Sequence, residues 1–497
     1  MTNEREDTGR IKQLFVQGVA WRSLADFLIR LRSIILLPIL TRTFGQADYG
    51  VWTQISNTVN MLSTLGTFGI GASMQRYIPG LPSKEQRQQF WMSIAVLIGG
   101  GLLVALPFLA FAEFIATAFF GGAENLIFVY LGVVLMLSKL LQGHLLLYFR
   151  LALKINLYSI LLVMQALLSL AAYLAAAILG RELLIVVLVA IAVDLLMTLI
   201  VLVAIGRNLG FGMPDFSALR KYLVFGLPTL PLGFLNWALN SSDRYAVAYF
   251  LGPSELAVYA VAYGISLWAI QVVVTPLWTV APSAMNNLWN TDRQDEAIAL
   301  IKRLFKYYFL AVTPIFSIIV FWGDFLLAEY AGEDYSAGAV IVVYVLLAYL
   351  FEYTASFYRQ IFVWYERTRV FLWTFSITAA GNLILNLLLI PRLGILGAAI
   401  ATAAAYTLLL IFEVLISRRI HKVDFPVREA LITLIIGLLI AGLISQVPSS
   451  GWLGFAWQVA LSTGLFGLAA FGLRLISFAE IRAMLALLRN REEAEAQ

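Results

Sequence analysis

The sequence predicts an all-α polytopic membrane protein with about fourteen transmembrane helices. Of its 497 residues, 61% are hydrophobic and 13% are charged, which is far from the balance of soluble domains. Apolar runs of roughly 20 residues, the length that a helix needs to cross a bilayer, recur along nearly the whole chain. These runs lack the polar and apolar alternation of β-barrel strands, so we expect helical spans with no soluble domain between them.

The apolar runs divide into fourteen predicted spans separated by polar turns. They lie near residues 13–41, 48–74, 89–118, 124–148, 154–178, 183–206, 219–243, 254–282, 298–322, 336–361, 369–390, 394–417, 428–446 and 452–474. Every second loop is rich in Lys and Arg, whereas the outer loops contain only Arg42, Arg181, Arg244 and Arg392. Because basic residues mark the retained side, both termini are predicted to be cytoplasmic.

The two ends of the chain and its reactive residues exclude several functions. Residues 1–12 carry charges of both signs without an apolar core, so no signal peptide is predicted, and residues 475–497 resemble an interfacial amphipathic helix. The chain has no cysteine and two histidines, so it has few residues that could bind a metal or act in catalysis. We expect a transporter and not an enzyme, with no cofactor, no metal and no nucleic-acid partner, since the net charge of +5 reflects membrane orientation.

Two outer turns have similar sequences, FGQADYGVW at residues 44–52 and LGPSELAVY at residues 251–259. The second follows six spans after the first, and an even offset predicts two lobes in parallel orientation with the substrate path between them. Chance similarity of two turns is the alternative. The predicted organisation is a cytoplasmic tail (1–12), a first lobe (13–206), a linker (207–218), a second lobe (219–417), two further helices (428–474) and a C-terminal tail (475–497).

The first span carries charges that are expensive inside a membrane. Arg22, Asp26 and Arg30 are spaced by four residues and therefore share one helix face, whereas Arg32 points elsewhere. The net positive face predicts a cavity wall that binds an anion, because arginine binds phosphate with two hydrogen bonds and stays charged. The alternative is a salt-bridge ladder that packs the helix.

Polar side chains in other spans are candidates for the same cavity. Gln54 and Asn57 lie in the second span, Asn236 and Asn240 in the seventh, and Tyr263 in the eighth. Amides pair with sugar hydroxyls, and aromatic rings pack on the apolar face of a pyranose. Hydrogen bonds between helices would use the same amides, so that structural role remains open.

Isolated charges in further spans are candidates for substrate binding and ion coupling. The cations Lys139 and Arg359 are candidates for binding the substrate, and a structural pair between Glu352 and Arg359 is the alternative. A carboxylate inside the membrane is a candidate proton or cation site. The candidates for ion coupling are Asp26, Asp194 and Glu352. Glu413, close to two arginines, is expected at the membrane boundary.

Residues Gly9–Pro79 resemble the start of bacterial polysaccharide transporters, the Wzx-type oligosaccharide (O-antigen) flippases of the multidrug/oligosaccharidyl-lipid/polysaccharide (MOP) superfamily. The shared pattern includes R-x-F-G-x-x-[ED]-[YF]-G from Arg42 to Gly50 and FGI-G-A---R from Phe68 to Arg76. A second stretch, Asn382–Tyr406, is similar to the eleventh and twelfth helices of that family. The likeness spans most of the chain.

The resemblance implies two six-helix lobes around a central V-shaped cavity, with two additional C-terminal helices. It implies movement of a polyprenyl-pyrophosphate-linked oligosaccharide, the repeat unit of O-antigen, capsule or exopolysaccharide, from the cytoplasmic to the outer leaflet of a bacterial inner membrane. Cationic cavity residues would bind the pyrophosphate. The implied partners are the lipid-linked oligosaccharide, membrane lipids, a proton or sodium gradient and polysaccharide assembly proteins.

Three other functions stay open at this point. A lipid II flippase would have the same number of spans. A multidrug or cation exporter of the same superfamily would have an acidic and aromatic cavity, whereas the first span here is net positive. A membrane polysaccharide polymerase usually has a sizeable charged outer loop, and the predicted outer loops are short.

Overall fold

The computed structural model describes residues 25, 28, 29, 31–179, 182–367 and 369–476. Across these residues the chain is helical and contains no strand. Residues 31–43 are helical and precede the labelled helices. These are α1 (Gln46–Gly66), α2 (Ile70–Tyr77), α3 (Ser83–Ala110), α4 (Ala112–Phe119), α5 (Leu126–Leu151), α6 (Ile155–Leu179), α7 (Leu183–Asn208), α8 (Leu219–Gly226), α9 (Leu230–Leu251), α10 (Pro253–Asn290), α11 (Gln294–Ala331), α12 (Ala339–Trp364), α13 (Arg369–Leu393), α14 (Ile395–Ile420), α15 (Val427–Ser445) and α16 (Gly451–Gly472).

The predicted class, an all-α polytopic membrane protein, is confirmed. Within the described ranges, twelve helical segments are long and apolar enough to cross a membrane, from Ser83–Ala110 to Gly451–Gly472. They correspond one to one to the last twelve predicted spans. The first predicted span, near residues 13–41, lies partly outside the described residues, as does the predicted C-terminal helix.

The second predicted span, near residues 48–74, is two helices and not one. Helix α1 ends at Gly66, and α2 begins after Phe68 and Gly69, which both have positive φ angles. A Cβ atom on Gly69 would lie 2.0 Å from the carbonyl oxygen of Gly226 at the end of α8. This close approach of two backbones requires glycine, and it breaks the span where the apolar pattern continues.

The chain forms two compact units. Unit 1 comprises Met1–Val261, Tyr330–Asp334 and Leu383–Ala398, and unit 2 comprises Ala262–Glu329, Tyr335–Asn382 and Ala399–Gln497. The lobe boundaries of the sequence analysis stay predictions.

In unit 1, α1, α3, α5 and α7 surround a core that includes the fully buried side chains of Ile55, Val59 and Met136. The two similar outer turns lie against each other in this unit. A Cβ atom on Gly50 would lie 1.8 Å from the carbonyl oxygen of Pro253. The backbones of α1 and of the start of α10 are therefore in direct contact at this glycine. Farther along α1, the hydroxyls of Thr58 and Tyr245 are hydrogen-bonded at 2.7 Å, which joins α1 to α9.

In unit 2, a cluster of aromatic rings packs α11 against α12. Phe305 and Phe357 are 1% exposed, with their ring centroids 5.3 Å apart. Helix α16 is joined to α11 by a hydrogen bond of 2.8 Å from the indole nitrogen of Trp322 to Oε1 of Gln458. Burial of large side chains on several helices gives this unit its own core.

Candidate functional site

The predicted cationic face on the first span cannot be placed, because Arg22, Asp26 and Arg30 lie outside the described residues. Arg32 is described, and its side chain is half-buried. Its Nε atom is buried and has no hydrogen-bond partner among the described residues. The cationic face therefore stays a prediction, while Arg32 has a defined place in unit 1.

The polar residues predicted on the second span are buried in unit 1. Gln54 is fully buried and Asn57 is 9% exposed. Both amide atoms of Gln54 and Nδ2 of Asn57 find no partner within the described part of the chain. A buried amide without a partner costs free energy, so these groups favour a ligand or water molecules beside α1.

On α9, Asn236 is exposed and Asn240 is half-buried. Nδ2 of Asn240 donates to the carbonyl oxygen of Asn236 at 2.8 Å, and the carbonyl oxygen of Asn240 accepts a bond from Arg244. The prediction of Arg244 in an outer loop is wrong, because this residue lies within α9. Helix α9 continues to Leu251, and the Arg244 side chain is 13% exposed beside the buried Asp243.

Two separately predicted charges, Lys139 and Asp194, lie in one cluster on α5 and α7. Asp194 is 5% exposed and interacts electrostatically with both Lys139 and Arg32. Gln165 on α6 donates to Oε1 of Gln142 at 2.9 Å and to Oδ1 of Asp194 at 3.4 Å. The second carboxylate oxygen of Asp194 and Nε2 of Gln142 have no partner among the described residues.

We call Arg32, Lys139, Asp194, Gln142 and Gln165 the unit 1 cluster. Among these described residues, two cations stand against one carboxylate, so the formal charge of the five is positive. Lys139 and Gln142 are three residues apart on one helix face, a spacing that is visible in the sequence. Gln165 and Arg32 reach the same point from other helices, and no sequence pattern indicates that meeting.

In unit 2, Arg359 on α12 lies between two carboxylates. Its Nη1 donates to Glu352 at 3.1 Å, and its Nε donates to Glu413 on α14 at 2.9 Å. The side chains of Arg359 and Glu352 are each 17% exposed, whereas Glu413 is fully buried. The expected position of Glu413 at the membrane boundary stays a prediction, and its carboxylate is paired with Arg359 inside the helix bundle.

These three residues form what we call the unit 2 triad, with two carboxylates and one cation. The guanidinium carbon of Arg359 also lies 4.9 Å from the centre of the Phe375 ring. Nη2 of Arg359 and the second oxygen of Glu413 have no partner among the described residues. The guanidinium is held in place and still has hydrogen-bonding capacity.

The triad borders a cavity of about 520 Å³ within unit 2. Its wall combines hydroxyl, amide and aromatic groups, and it is lined by Val274, Thr275, Trp278, Thr279, Pro282, Glu352, Tyr353, Ser356, Arg359, Gln360, Val363 and Phe371. Nε2 of Gln360 donates to Oδ1 of Asn286 at 2.6 Å, whereas the indole nitrogen of Trp278 finds no partner in the described ranges. Such a wall is suited to a polyhydroxylated ligand with apolar faces.

Tyr263 lies elsewhere in unit 2. It is fully buried on α10, and its hydroxyl accepts a hydrogen bond of 2.9 Å from Tyr349 on α12. The ring centroids of these two tyrosines are 5.7 Å apart in an edge-to-face arrangement. This contact packs the helices together, and the substrate-binding role of Tyr263 stays a prediction.

Comparison with known families decides the membership of this chain. Residues 15–283, more than half of the sequence, match the family described as "Polysaccharide biosynthesis protein". The chain belongs to this family. Within the curated proteins, an uncharacterized membrane protein of Methanocaldococcus jannaschii is 22% identical over 525 residues, with 97% of this chain and 99% of that protein covered.

Solved structures with the same architecture are transporters. A lipid II flippase, MurJ, in an inward closed conformation has a TM-score of 0.75 at 13% identity, covering 90% of this chain and 97% of its own. An inward-facing multidrug resistance MATE family transporter of the MOP superfamily has a TM-score of 0.58 at 14% identity, covering 79% and 93%. A MATE transporter of Vibrio cholerae has a TM-score of 0.56 at 13% identity, covering 82% and 97%. This polysaccharide biosynthesis family member thus has the fold of MOP superfamily transporters.

Proposed function

We propose that this protein moves a polyprenyl-pyrophosphate-linked oligosaccharide from the cytoplasmic to the outer leaflet by alternating access. The observation that carries the proposal is Arg359, held by two carboxylates at the wall of a 520 Å³ cavity between membrane-spanning helices. Membership in a polysaccharide biosynthesis family and the MOP transporter fold support it. The setting is a bacterial cytoplasmic membrane, with both termini cytoplasmic.

The membrane explains why such a protein is needed. A phosphate-linked glycan that crosses hydrocarbon unaided loses water from its charges and its hydroxyls together, which costs many times the thermal energy. Polar groups inside a helix bundle replace that water. The polyprenyl chain is apolar and stays in the lipid.

The unit 2 cavity is suited to the sugar part of the substrate. Two nitrogens of Arg359 are already bound to carboxylates, so this residue offers its remaining Nη2 donor to a hydroxyl. Glu352 is partly exposed. Its carboxylate oxygens can accept hydrogen bonds from other hydroxyls of the sugar. The Trp278 and Tyr353 rings supply surfaces for the apolar face of a sugar.

The pyrophosphate is assigned to the cations of unit 1. Arg22 and Arg30 of the predicted face and the half-buried Lys139 supply three positive charges, against the two carboxylates of Asp26 and Asp194. Gln54 and Asn57 supply donors without partners on α1. Under this proposal, Asp26, Asp194 and Glu352 are the candidate sites for coupling to a proton or sodium gradient.

The test is reconstitution of the purified protein into vesicles that carry an undecaprenyl-pyrophosphate-linked oligosaccharide in the outer leaflet. Periodate, which does not cross the membrane, is added to the vesicles. The fraction of the glycan that it oxidises is measured over time. We expect the wild type to move the lipid into a protected pool, and Arg359→Gln to abolish this movement. Absence of movement by a folded wild type, with and without an ion gradient, would overturn the proposal.

The chain offers a matched control for Arg359. Arg293 donates to both oxygens of Glu296 at 2.6 Å, but these two side chains are 55% and 56% exposed. Arg293→Gln removes an arginine–carboxylate pair of the same type from the surface. This control variant should transport the lipid at the wild-type rate. The effect of removing the cavity arginine is then distinguished from the effect of removing an arginine charge elsewhere.

A second candidate is lipid II flipping, favoured by the TM-score of 0.75 to a lipid II flippase. The same vesicles prepared with lipid II distinguish the two substrates. Protection of lipid II but not of the polyprenyl-pyrophosphate oligosaccharide would favour the second candidate. Uptake of an organic cation such as ethidium, with neither lipid moved, would instead indicate an exporter.

A further inference from the structure

A second cavity of unit 2, also of about 520 Å³, lies between α11 and the start of α15. It is lined by Lys302, Arg303, Lys306, Asp424, Phe425, Pro426 and Glu429. We infer that this cavity binds the headgroup of an anionic phospholipid that carries glycerol hydroxyls, such as phosphatidylglycerol. The inference concerns a lipid of the bilayer and does not depend on which substrate the protein transports.

Three basic residues of α11 form one side of the cavity. Lys302 and Lys306 are four residues apart and share a helix face, with Arg303 beside them. Lys302 and Arg303 form no ion pair or hydrogen bond with the other residues that the structure describes. Their charges are therefore available for a phosphate, and the arginine fork can bind two phosphate oxygens.

The two acidic residues of the cavity have local roles that leave the basic side available. Asp424 pairs with Lys422 outside the cavity, with 3.7 Å between Nζ and Oδ1. Glu429 lies in the first turn of α15, where the helix dipole favours a carboxylate. Both carboxylates remain hydrogen-bond acceptors, which suits a headgroup that carries hydroxyls next to its phosphate.

The cavity also has an aromatic lining residue, Phe425. Phe425 is 8% exposed and packs on Phe305 and Tyr358, with ring centroids 5.0 and 4.6 Å away. The connection between α14 and α15 is thereby anchored to the core of unit 2. An anchored apolar wall next to a basic patch matches the junction between the headgroup and the acyl chains of a lipid.

The position along α11 places the cavity at the level of lipid headgroups. Before the non-helical residue Trp322, α11 runs over residues 294–321 and is about 42 Å long, whereas the hydrocarbon core is about 30 Å thick. The basic residues precede the half-buried Tyr307, and an apolar run follows it. Tyrosines are enriched at the membrane interface, and basic residues mark the predicted cytoplasmic face, where basic pockets between helices bind anionic headgroups.

The test is a binding titration of the full-length protein in detergent with phosphatidylglycerol, followed by native mass spectrometry. The pocket variant is Lys302→Gln/Arg303→Gln/Lys306→Gln. Each basic residue near anionic lipid contributes about 1 kcal/mol, so we expect the affinity to fall on the order of a hundredfold. Phosphatidylcholine should bind weakly to the wild type and to the variant alike.

A matched control removes the same number of charges from exposed positions on the same predicted face. This variant is Lys84→Gln/Arg150→Gln/Arg220→Gln, and all three side chains are exposed. It should retain the wild-type affinity for phosphatidylglycerol. Equal losses in the two variants would mean that general surface charge attracts the lipid, and the proposed site would be overturned.

Two further measurements keep the proposal testable if the pocket variant does not fold. A photoreactive phosphatidylglycerol should label wild-type peptides that contain residues 302–306 or 424–429, and labelling confined to other peptides would contradict the site. Inorganic phosphate at the same concentration should not compete with the labelling. Full competition would identify a site for soluble phosphate, and the assignment to a lipid would fail.

Discussion

The unit 1 cluster and the unit 2 triad differ in the balance between cations and carboxylates. Among the described residues of the unit 1 cluster, Arg32 and Lys139 outnumber the carboxylate of Asp194, which accepts a long 3.4 Å side-chain bond from Gln165. In unit 2, Arg359 is bound by Glu352 at 3.1 Å and by Glu413 at 2.9 Å. One cluster has positive charge in excess and loose contacts, and the other has negative charge in excess and short bonds.

This difference indicates that the two clusters have different tasks. A cluster with excess cations and unpaired donors attracts an anion, and short ion pairs hold side chains in a fixed geometry. We therefore expect unit 1 to interact with the phosphate part of the substrate and unit 2 to position hydrogen-bonding groups for its sugars. The following predictions test that contrast, from the largest expected effect to the smallest.

Arg359→Met should cause the largest loss of stability, about 3–5 kcal/mol. It leaves Glu413, which is fully buried, without its cation. The double variant Arg359→Met/Glu413→Met should recover most of that loss, because an apolar pair replaces the buried charges. The free energy of unfolding in detergent micelles measures both, and a stable single variant would contradict a structural role for the triad.

In unit 1, Asp194→Asn should cost about 1–3 kcal/mol, the range for a buried polar group that loses its partners. It leaves Lys139 and Arg32 without a carboxylate. Lys139→Met should cost less, because Arg32 continues to interact with Asp194. The same unfolding measurement compares the two, and equal losses would mean that the second cation does not compensate.

Substrate affinity should distinguish the two regions. Lys139→Gln should weaken binding of undecaprenyl pyrophosphate by about tenfold, the loss expected for one hydrogen bond to a charged group. Glu352→Gln should leave that affinity unchanged and weaken only the lipid that carries the oligosaccharide. Titration of each variant with both lipids is the measurement, and the reverse pattern would exchange the assignments of the two regions.

The smallest effect is expected for Gln165→Leu, about 1 kcal/mol of unfolding free energy. Gln165 donates to Gln142 and Asp194, so its loss leaves two buried acceptors with fewer partners. The double variant Gln142→Leu/Gln165→Leu should be no less stable than the single variant. A loss several times larger would mean that the amides, and not the charges, hold the unit 1 cluster together.

Most of the fold could be predicted from the sequence because the membrane imposes a local rule. Each helix must present about 20 apolar residues, and twelve predicted spans coincide with helices that meet this condition. The second span was predicted as one helix, since apolar residues continue through Phe68. The break at Gly69 depends on the backbone of Gly226, which is distant in sequence.

The candidate site was less predictable, because the role of a polar side chain in a membrane depends on which side chains it contacts. Lys139, Asp194, Glu352 and Arg359 were recognisable as costly charges in apolar runs. The pairing of Glu413 with Arg359 was not predicted, since the arginines close to Glu413 in the sequence are others. Arg244 was predicted in a loop because the predicted seventh span ended at residue 243, whereas α9 continues to Leu251.

The sequence by itself determined the helical membrane class, the positions of most spans and the residues whose charges require an explanation. Hydrophobicity and helical spacing are local properties, so they can be read along one chain. The tertiary structure decided which charges interact: Asp194 is within electrostatic range of Lys139 and Arg32, and Arg359 forms ion pairs with both Glu352 and Glu413. The attraction between two charges depends on their distance and on the local dielectric, and burial adds a desolvation cost; all three are set by helices that lie far apart in sequence.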